Sequence, residues 1–274
     1  MKGCEQMNGQ HQTNGAEKKV ALVTGGTRNV GKGIAKALAA SGMTVYVTGR
    51  TIGPRDVKDI CKSGGEAIAL VCDHRDDDSV REVFQTILDK EGRLDLLVNN
   101  AWGGYRRLRE RSANPGFKWR EDFWKQPADL YDDMFDVGVR STYMASWHAA
   151  RIMVAQGHGL IVNISFFSGK TYMGNVCYGV AKSAVDRMTA DMAKELRKHG
   201  VSCVSLYPGV IDDKKKTPNP KKETSQFTGR AIVALSDDSD VRKKSGQVLV
   251  SAVLQHEYGF TDLDGTNPEP YMDI

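Results

Sequence analysis

A tyrosine and a lysine that stand four residues apart could carry proton chemistry in this chain. The passage Tyr178-Gly-Val-Ala-Lys182 opens a segment, residues 180–196, whose apolar positions recur with the period of an amphipathic helix. Residues four apart share one face of a helix, so the phenol and the ammonium project the same way. A phenol has an ordinary pKa of about 10, and a nearby cation lowers that pKa by stabilising the phenolate. Such a pair can donate or accept a proton near neutral pH.

A glycine-rich turn near the N-terminus predicts a nucleotide site. The apolar run at residues 20–23 leads into Thr24-Gly-Gly-Thr-Arg-Asn-Val-Gly-Lys-Gly33, and a helix is predicted over residues 30–40. Glycines in a strand–turn–helix context let a pyrophosphate approach the backbone, and the helix N-terminus meets its charge. The residues expected to hold a dinucleotide here are Gly25, Thr27, Arg28, Asn29, Val30 and Gly31.

The residue at the end of the second predicted strand distinguishes NAD from NADP. In a doubly wound sheet an acid at this place binds the ribose 2′-hydroxyl of NAD, whereas an arginine accommodates the 2′-phosphate of NADP. Here Arg50 follows Gly49 and no acid is present, while Arg28 is a second cation. Arginine offers permanently charged, bidentate donors to phosphate. We therefore expect NADP(H) as the preferred cofactor, with NAD(H) as the alternative.

Two further strand ends supply candidate cofactor contacts. The third predicted strand ends at Cys72-Asp73, where the carboxylate of Asp73 could accept a hydrogen bond from the adenine amino group. The fourth ends in Asn99-Asn100-Ala101, and we expect Asn99 and Ala101 to pack against the cofactor.

Strand and helix signals alternate along the whole chain. Strands are predicted at residues 20–23, 43–48, 67–72, 94–98, 160–164, 201–206 and 248–251, and helices at residues 30–40, 54–62, 79–90 and 128–155 and after Tyr178. This alternation indicates right-handed crossovers and a parallel sheet. We predict an α/β fold: a single doubly wound Rossmann domain over residues 18–260, with a parallel sheet of about seven strands and helices on both faces. Residues 1–17 are expected to form a disordered tail and residues 261–274 a C-terminal tail.

Composition narrows the class of protein. The 274 residues are 40% hydrophobic and 26% charged, as in a soluble globular protein, and a net charge of +4 argues only weakly for a polyanionic partner. The five cysteines are odd in number and scattered, which fits free thiols in a reducing compartment. No apolar run approaches the ~18 residues of a membrane span, and no secretory signal is visible. We expect a cytoplasmic protein, and because its histidines lie apart we expect no metal.

The segment from Trp102 to Trp124 mixes bases and aromatic residues. The run Tyr105-Arg-Arg-Leu-Arg-Glu-Arg111 could line a groove for single-stranded nucleic acid. On a nearly neutral chain, a single short run of this kind indicates a loop beside a substrate cleft instead. We therefore expect no nucleic-acid partner.

These motifs together resemble the classical short-chain dehydrogenases/reductases, from about residue 18 to residue 258. The residues that carry the resemblance are the glycine-rich turn after Thr24, Asn99-Asn-Ala101, Ser165 upstream of Tyr178-x-x-x-Lys182, and Pro208-Gly209. The passages Tyr178–Lys182, His199-Gly-Val-Ser-Cys-Val-Ser-Leu-Tyr-Pro-Gly209 and Tyr258-Gly-Phe-Thr-Asp-Leu-Asp-Gly265 are similar to the branch called dehydrogenase/reductase family member 1.

The resemblance implies a role for each matching residue. Tyr178 would be the general acid that protonates the carbonyl oxygen, Lys182 would lower its pKa and hold the nicotinamide ribose, and Ser165 would orient the substrate oxygen. The residues implied to line the nicotinamide are Pro208, Gly209, Val210 and Ile211.

Three positions depart from the family pattern. Asn29 stands where the turn usually has a middle glycine, and Asn tolerates a left-handed backbone better than most residues. Asp136 falls where the family has the asparagine that bends a helix and holds a water of the proton relay. The serine position falls on Ser165 with one inserted residue and on Phe166 without it, and Ser168 is a third candidate; neighbouring strand residues face opposite ways, so Ser165 and Phe166 cannot both face the site.

The sequence therefore predicts an NADP(H)-dependent oxidoreductase that reduces a ketone or aldehyde to an alcohol. The aromatic segment suggests a small lipophilic carbonyl substrate. The alternative is a catalytically impaired family member that binds a dinucleotide in a binding or regulatory role. The helix predicted at residues 128–155 and the Tyr178 helix carry surplus aromatic residues, and the resemblance implies that they form the interface of a homodimer or homotetramer.

Overall fold

A seven-stranded parallel sheet forms the centre of the protein. The computed structural model describes residues 18–62, 64–110, 112–215 and 217–272, so the predicted tail over residues 1–17 lies outside the described residues. The strands are β1 (Val20–Val23), β2 (Thr44–Gly49), β3 (Glu66–Val71), β4 (Leu96–Asn99), β5 (Gly159–Ile164), β6 (Val201–Tyr207) and β7 (Val248–Val250). Their order is β3-β2-β1-β4-β5-β6-β7, and every adjacent pair is parallel. The predicted fold class is confirmed.

Helices connect the strands. They are α1 (Asn29–Ala40), α2 (Pro54–Cys61), α3 (Asp77–Glu91), α4 (Arg106–Arg109), α5 (Leu130–Met134), α6 (Ser141–Gln156), α7 (Val176–Leu196), α8 (Ser225–Asp237) and α9 (Ser251–Tyr258). Helices α4, α8 and α9 are not among the helices expected from the sequence. None of the helices among the described residues has the length and apolar character needed to cross a membrane.

Apolar side chains on the two faces of the sheet form separate core layers. Alternate strand residues face opposite sides, so Ala21 and Val23 pack with α1, α2 and α8 while Val20 and Leu22 pack with α3, α6 and α7. Burial on both faces explains why these strands appear in the sequence as short, continuous apolar runs.

The strand order reverses between β1 and β4. The chain runs outward from β1 to β3 and then returns to the other side of β1 to continue with β4. At such a switch point the connecting helices diverge to opposite faces, which leaves a crevice outside the carboxyl ends of the two strands. The glycine turn after β1 and the segment after β4 both open into this crevice.

The long helix predicted over residues 128–155 is interrupted. Between α5 and α6 a π-helical segment, Phe135–Arg140, contains non-helical backbone angles at Val137 (φ −110°, ψ 69°) and Gly138 (φ 177°, ψ −63°). A Cβ atom added to Gly138 would lie 2.5 Å from a ring carbon of Trp102. The bend therefore lies at residues 137–138, directly after Asp136, and it makes room for an indole ring.

The C-terminal segment is fastened to the start of α8 by a buried ion pair. The carboxylate of Asp262 is fully buried; it accepts hydrogen bonds from Thr224 N at 2.9 Å and Thr224 Oγ1 at 2.5 Å, and it pairs with Lys215 Nζ at 2.8 Å. Hydrogen bonds and the Lys215 charge keep the pKa of Asp262 below its ordinary value, although burial acts in the opposite direction. This contact holds residues 261–272 against the domain, with Tyr271 at the crevice.

Replacing Asp262 should destabilise the fold measurably. Asp262→Ala removes the buried acceptor of the two Thr224 donors and leaves Lys215 paired with the partly exposed Asp264, which should cost about 1–3 kcal/mol. Urea unfolding should show that loss in the free energy of unfolding. Asp240→Ala is the control, because its side chain is 65% exposed in a pair with Lys243, and the change should stay within about 0.5 kcal/mol. Equal stability of the two variants would contradict the anchoring role.

Candidate active site

One cleft at the carboxyl edge of the sheet contains most of the residues selected from the sequence. It has a volume of about 700 Å³, within the usual range of ligand pockets. The selected residues that line it are Gly25, Thr27, Arg28, Asn29, Val30, Gly31, Arg50, Asp73, Ala101, Ser165, Tyr178, Lys182, Pro208, Gly209 and Ile211. Asn99 and Asp136 lie outside the cleft.

The glycine turn is shaped for close backbone approach. Gly25 has φ +65°, and a Cβ atom there would lie 2.9 Å from the Cα atom of Ala101. Asn29 has φ 46°, the left-handed conformation that its residue type tolerates. Since α1 begins at Asn29, its N-terminal amide groups face the cleft, and the turn fits the pyrophosphate of a dinucleotide.

Asn100, and not Asn99, reaches the cleft. Asn100 Nδ2 donates to the carbonyl oxygens of Thr24 at 3.0 Å and Gly25 at 3.1 Å, which fixes the glycine turn to the end of β4. Asn99 is buried, and its Nδ2 donates to Ser146 Oγ at 2.9 Å and Asn163 Oδ1 at 2.8 Å. Neighbouring residues of an extended strand face opposite ways, so Asn99 joins β4 to β5 and α6 instead of contacting a ligand.

Three arginines converge at one end of the cleft. Arg28, Arg50 and Arg109 all line it, and among the described residues none of these guanidinium groups forms an ion pair with a carboxylate. Burial lowers the pKa of Arg109, and the neighbouring charges of Arg28 and Arg50 lower it further. Three cations without a carboxylate partner make this end of the cleft suited to an anion. Arg28 and Arg50 are expected here from the sequence, whereas Arg109, which lies in the segment after β4, is not.

The third strand delivers two polar residues to the same end. Asp73 lines the cleft, where its Oδ1 accepts a hydrogen bond from Arg75 N at 3.1 Å. His74 also lines it, is buried, and lies 2.7 Å through Nε2 from Thr48 Oγ1. Burial lowers the pKa of His74 to about 4, so this imidazole is neutral at physiological pH. Its Nδ1 has no hydrogen-bond partner among the described residues.

Helix α7 brings Tyr178 and Lys182 to the opposite end. Asn175 caps this helix by accepting a hydrogen bond from Tyr178 N at 3.0 Å, and the side chains of Tyr178 and Lys182 are both buried. Lys182 Nζ donates to Ile164 O at 3.1 Å and lies 4.2 Å from the ring centre of Trp102. Burial lowers the pKa of Lys182 to about 8, while the negative ring face of Trp102 favours the charged form.

The pKa of Tyr178 shifts upward, although the pairing with Lys182 led us to expect a decrease. Burial raises the pKa of the phenol well above its ordinary value, and the neighbouring Tyr105 adds to the increase. Lys182 Nζ lies 6.0 Å from the Tyr178 ring centre and directs its hydrogen bond to the backbone. Tyr178 is therefore protonated at neutral pH in this structure, the state that a proton donor requires.

The structure separates the three candidates for the serine position. Ser165 is buried, and its Oγ donates to Lys182 O at 3.4 Å, away from the Tyr178 phenol. The ring of Phe166 faces the cleft with its centre 6.3 Å from that of Tyr178. Ser168 is buried near Tyr178, where its hydroxyl lowers the Tyr178 pKa, but its Oγ makes no hydrogen bond of good geometry to a described residue. The orienting role of Ser165 stays a prediction.

Asp136 faces a different cavity. It is exposed and shares a surface depression with Arg75, Arg140 and residues 76–78. Within the π-helical segment it is Val137 that faces the cleft. The structure therefore does not bring Asp136 to Tyr178 or Lys182.

Residues 208–211, which follow β6 and are predicted to contact the nicotinamide, line the cleft and are held by the buried residue Glu223. Glu223 N donates to Val210 O at 2.9 Å, and a backbone hydrogen bond from Gly209 reaches its carboxylate. Burial raises the pKa of Glu223 to about 7, against the hydrogen bonds it accepts from Ser251 and Thr228.

Aromatic rings surround Tyr178. Trp102, Trp119 and Tyr105 have ring centres 5.6, 5.3 and 6.1 Å from that of Tyr178, and Tyr271 lies 5.8 Å from Phe166. The sequence predicts that the aromatic segment after β4 lies beside the cleft, but no pattern in it singles out Trp102 or Tyr105. Nothing in the sequence indicated Tyr271, which only the packed C-terminal segment brings near.

A buried carboxylate holds the basic run in place. Asp133 accepts hydrogen bonds from Arg106 Nε and Nη2, each at 3.1 Å, and pairs with Arg107 and Arg75 at 3.3 Å. These contacts fix α4. As a result, Tyr105 at its start faces Tyr178, and Arg109 at its end joins Arg28 and Arg50 to form an arginine cluster in the cleft.

Comparisons with known proteins agree with this geometry. The sequence profile of the family described as short chain dehydrogenase matches residues 19–224. The human protein called dehydrogenase/reductase SDR family member 1 is 37% identical, over 98% of this chain and 88% of its own length. A metagenomic short-chain oxidoreductase solved in complex with NADP superposes with a TM-score of 0.69, at 26% identity over 85% of this chain and 96% of that chain. A 3-oxoacyl-[acyl-carrier protein] reductase from Brucella melitensis in complex with NAD has a TM-score of 0.74 at 23% identity, over 86% and 96% of the two chains.

Proposed function

Because this chain belongs to the short-chain dehydrogenase family, and is thus an NAD(P)-dependent oxidoreductase, we propose that it uses NADP(H) to reduce a small lipophilic ketone or aldehyde to an alcohol. The observation that carries the proposal is the single cleft that joins the glycine turn and arginine cluster at one end to Tyr178 and Lys182 at the other. A dinucleotide placed along such a crevice directs its nicotinamide toward the carboxyl ends of the strands beyond the switch point.

The chain contributes proton supply and orientation. A reduced nicotinamide, when bound, supplies the hydride. Tyr178 is protonated and donates its hydroxyl proton to the carbonyl oxygen, which becomes the alcohol oxygen. The Lys182 ammonium is held by Ile164 O and the Trp102 ring. It stabilises the negative charge left on the Tyr178 oxygen and is placed to bind ribose hydroxyls.

The arginine cluster supports NADP(H) over NAD(H). The 2′-phosphate of NADP carries the additional negative charge that distinguishes the two cofactors, and Arg28, Arg50 and Arg109 offer it charged donors without a competing carboxylate. The cleft has no acid after β2 to bind a free 2′-hydroxyl.

Charge reversal at Arg50 should change the cofactor preference. Arg50→Asp removes a charge-assisted contact and repels the 2′-phosphate, so the ratio of kcat/KM with NADPH to that with NADH should fall by about 10- to 100-fold. Arg197→Asp is the control, because Arg197 is exposed beyond α7 and does not line the cleft. If Arg50→Asp leaves the ratio unchanged, the role assigned to Arg50 is wrong.

The aromatic wall supports a lipophilic substrate. Trp102, Tyr105, Phe166 and Tyr271 line the cleft around the Tyr178 end. Aromatic side chains bury large apolar areas and favour flat, apolar partners. Phe166 offers no hydrogen bond to a second polar group on the substrate.

The proton-donor role of Tyr178 is testable with a panel of aromatic and aliphatic ketones and aldehydes. Tyr178→Phe keeps the ring but removes the proton, so kcat for an accepted carbonyl should fall by about 100-fold or more while NADPH binding persists. Consumption of NADPH and its dissociation constant measure the two quantities. Tyr172→Phe, at a side chain that is 73% exposed, is the control. Unchanged turnover in Tyr178→Phe, or no NADPH binding by the native chain, would refute the proposal.

A second candidate function is favoured by the neighbours of Tyr178. Phe166 lines the cleft beside Ser165, the Ser165 hydroxyl donates to the backbone of α7, and the helix bend includes Gly138, which has no polar side chain. A chain that binds a dinucleotide without reducing carbonyls would fit this lack of polar contacts from Ser165 and the helix bend to Tyr178. Tight NADPH binding without turnover across the panel favours this second function.

Self-association through α6 and α7 is the proposed assembly. Tyr143 and Trp147 on α6 are 50% and 43% exposed, and Val176 and Val180 on α7 are 43% and 51% exposed. Members of each pair stand four residues apart, so each helix presents an apolar stripe that a second copy would bury.

A charge on this face should separate the copies. Trp147→Glu places a carboxylate in the proposed interface and should shift sedimentation from a dimer or tetramer to the monomer. Trp124→Glu is the control, since Trp124 is 70% exposed in the turn Phe123–Lys125 outside α6 and α7. An unchanged assembly in Trp147→Glu would exclude this interface.

A further inference from the structure

A second phenol contacts the Tyr178 hydroxyl. Tyr105 Oη donates a hydrogen bond to Tyr178 Oη at 3.2 Å, and the two ring planes meet at 47°. Either hydroxyl can donate to the other, so one proton can pass along this contact without movement of either ring. Among the described side chains, Tyr105 is the one that makes a hydrogen bond of good geometry to this oxygen.

The other groups around Tyr178 are poorly placed to resupply its proton. Ser165 Oγ donates to the α7 backbone, and Asp136 is outside the cleft. Lys182 Nζ donates to Ile164 O and lies beneath the Trp102 ring. Ser168 is near, but it is buried with 3% of its surface exposed and has no route to water of its own.

Tyr105 lies between Tyr178 and solvent. Tyr178 is 6% exposed, whereas Tyr105 is 38% exposed at the start of α4 and lines the open cleft. Burial raises the pKa of the Tyr105 phenol, so this hydroxyl also holds its proton at neutral pH. Its ring is held by Trp119 at 5.3 Å and Trp102 at 6.2 Å, and the Asp133 ion pairs fix the helix that follows. The second phenol is therefore pre-positioned.

We propose that Tyr105 is the proton-relay partner of Tyr178: after Tyr178 has protonated the substrate, Tyr105 passes it a proton and takes a replacement from solvent. This inference rests on the proposed reductase function. The Tyr178 O–H bond breaks as the alcohol O–H bond forms; the Tyr105 O–H bond then breaks as that of Tyr178 re-forms, and water supplies a proton to the Tyr105 oxygen. The two electrons of the reduction arrive with the hydride, so the relay moves only protons.

Tyr105→Phe tests the relay because it removes the hydroxyl and keeps the ring. With reprotonation interrupted, kcat should fall by about tenfold or more while KM changes little. Rising concentrations of imidazole, a small proton donor that can enter the open cleft, should restore kcat in the variant but not accelerate the native enzyme. Tyr131→Phe is the control, because Tyr131 is 50% exposed and stacks on Phe135.

A measurement on the cofactor-free protein tests the contact independently of turnover. Replacing Tyr178 with a difluorotyrosine makes position 178 the more acidic phenol, so Tyr105 stays protonated and donates to the phenolate. Fluorine NMR should then show a higher pKa at position 178 when Tyr105→Phe is added, by about one unit, because the phenolate loses a hydrogen bond. The shift should be absent when Tyr131→Phe is added instead.

The outcomes separate the two proposals. An unchanged pKa at position 178 overturns the relay, and so does a Tyr105→Phe enzyme whose kcat stays within about twofold of native. A fall in kcat that imidazole does not restore assigns Tyr105 a purely structural role and also overturns the relay. A raised pKa in a protein that reduces no carbonyl refutes the reductase function while leaving the phenol contact intact.

Discussion

The contact between the end of β1 and the end of β4 is the constraint on which the site depends. Thr24 Oγ1 accepts hydrogen bonds from the backbone N–H groups of Asn100 and Ala101, both at 3.0 Å, and Gly25 lies against Ala101 too closely for any side chain. These bonds join the two strands where the sheet order reverses, which is where the crevice opens. The glycine turn, the aromatic segment and the arginine cluster are all positioned from this junction.

The indole ring of Trp102 packs beside Tyr178, in a position that polar side chains do not occupy. Trp102 fits between Gly104 and Gly138, where Cβ atoms would lie 2.8 and 2.5 Å from ring atoms. The same ring covers the Lys182 ammonium. A cation over an aromatic face keeps part of its electrostatic stabilisation without water. Burial in this largely aromatic surrounding raises the pKa of Tyr178 and lowers that of Lys182.

Pairing divides the basic residues after β4 into two groups. Arg106 and Arg107 are bound by the buried Asp133 and serve the fold, whereas Arg109 has no carboxylate partner among the described residues and faces the cleft with Arg28 and Arg50. An arginine that is paired with a buried carboxylate holds its segment in place, whereas an arginine without such a partner can attract an anion. Residue type alone does not distinguish these groups, because all are arginines within four positions of one another.

The sequence by itself determined the sheet, the dinucleotide turn and the Tyr178–Lys182 pair, because short-range patterns encode them: continuous apolar runs for buried strands, glycines for close approach, and helical spacing for a shared face. The tertiary structure decided which of two neighbouring residues lines the cleft, and which residues distant in sequence pack beside it. Asn100 lies at the cleft and Asn99 does not, because neighbouring residues of an extended strand face opposite ways. Ser165 and Phe166 both line the cleft, but the Ser165 hydroxyl donates to the backbone of α7 while the Phe166 ring lies near Tyr178. Asp136 lies outside the cleft, immediately before the bend at Val137 and Gly138 where Trp102 packs against the helix. Tyr105 reaches Tyr178 from 73 residues away in sequence, and Tyr271 reaches Phe166 from 105 residues away, through contacts that no local pattern records.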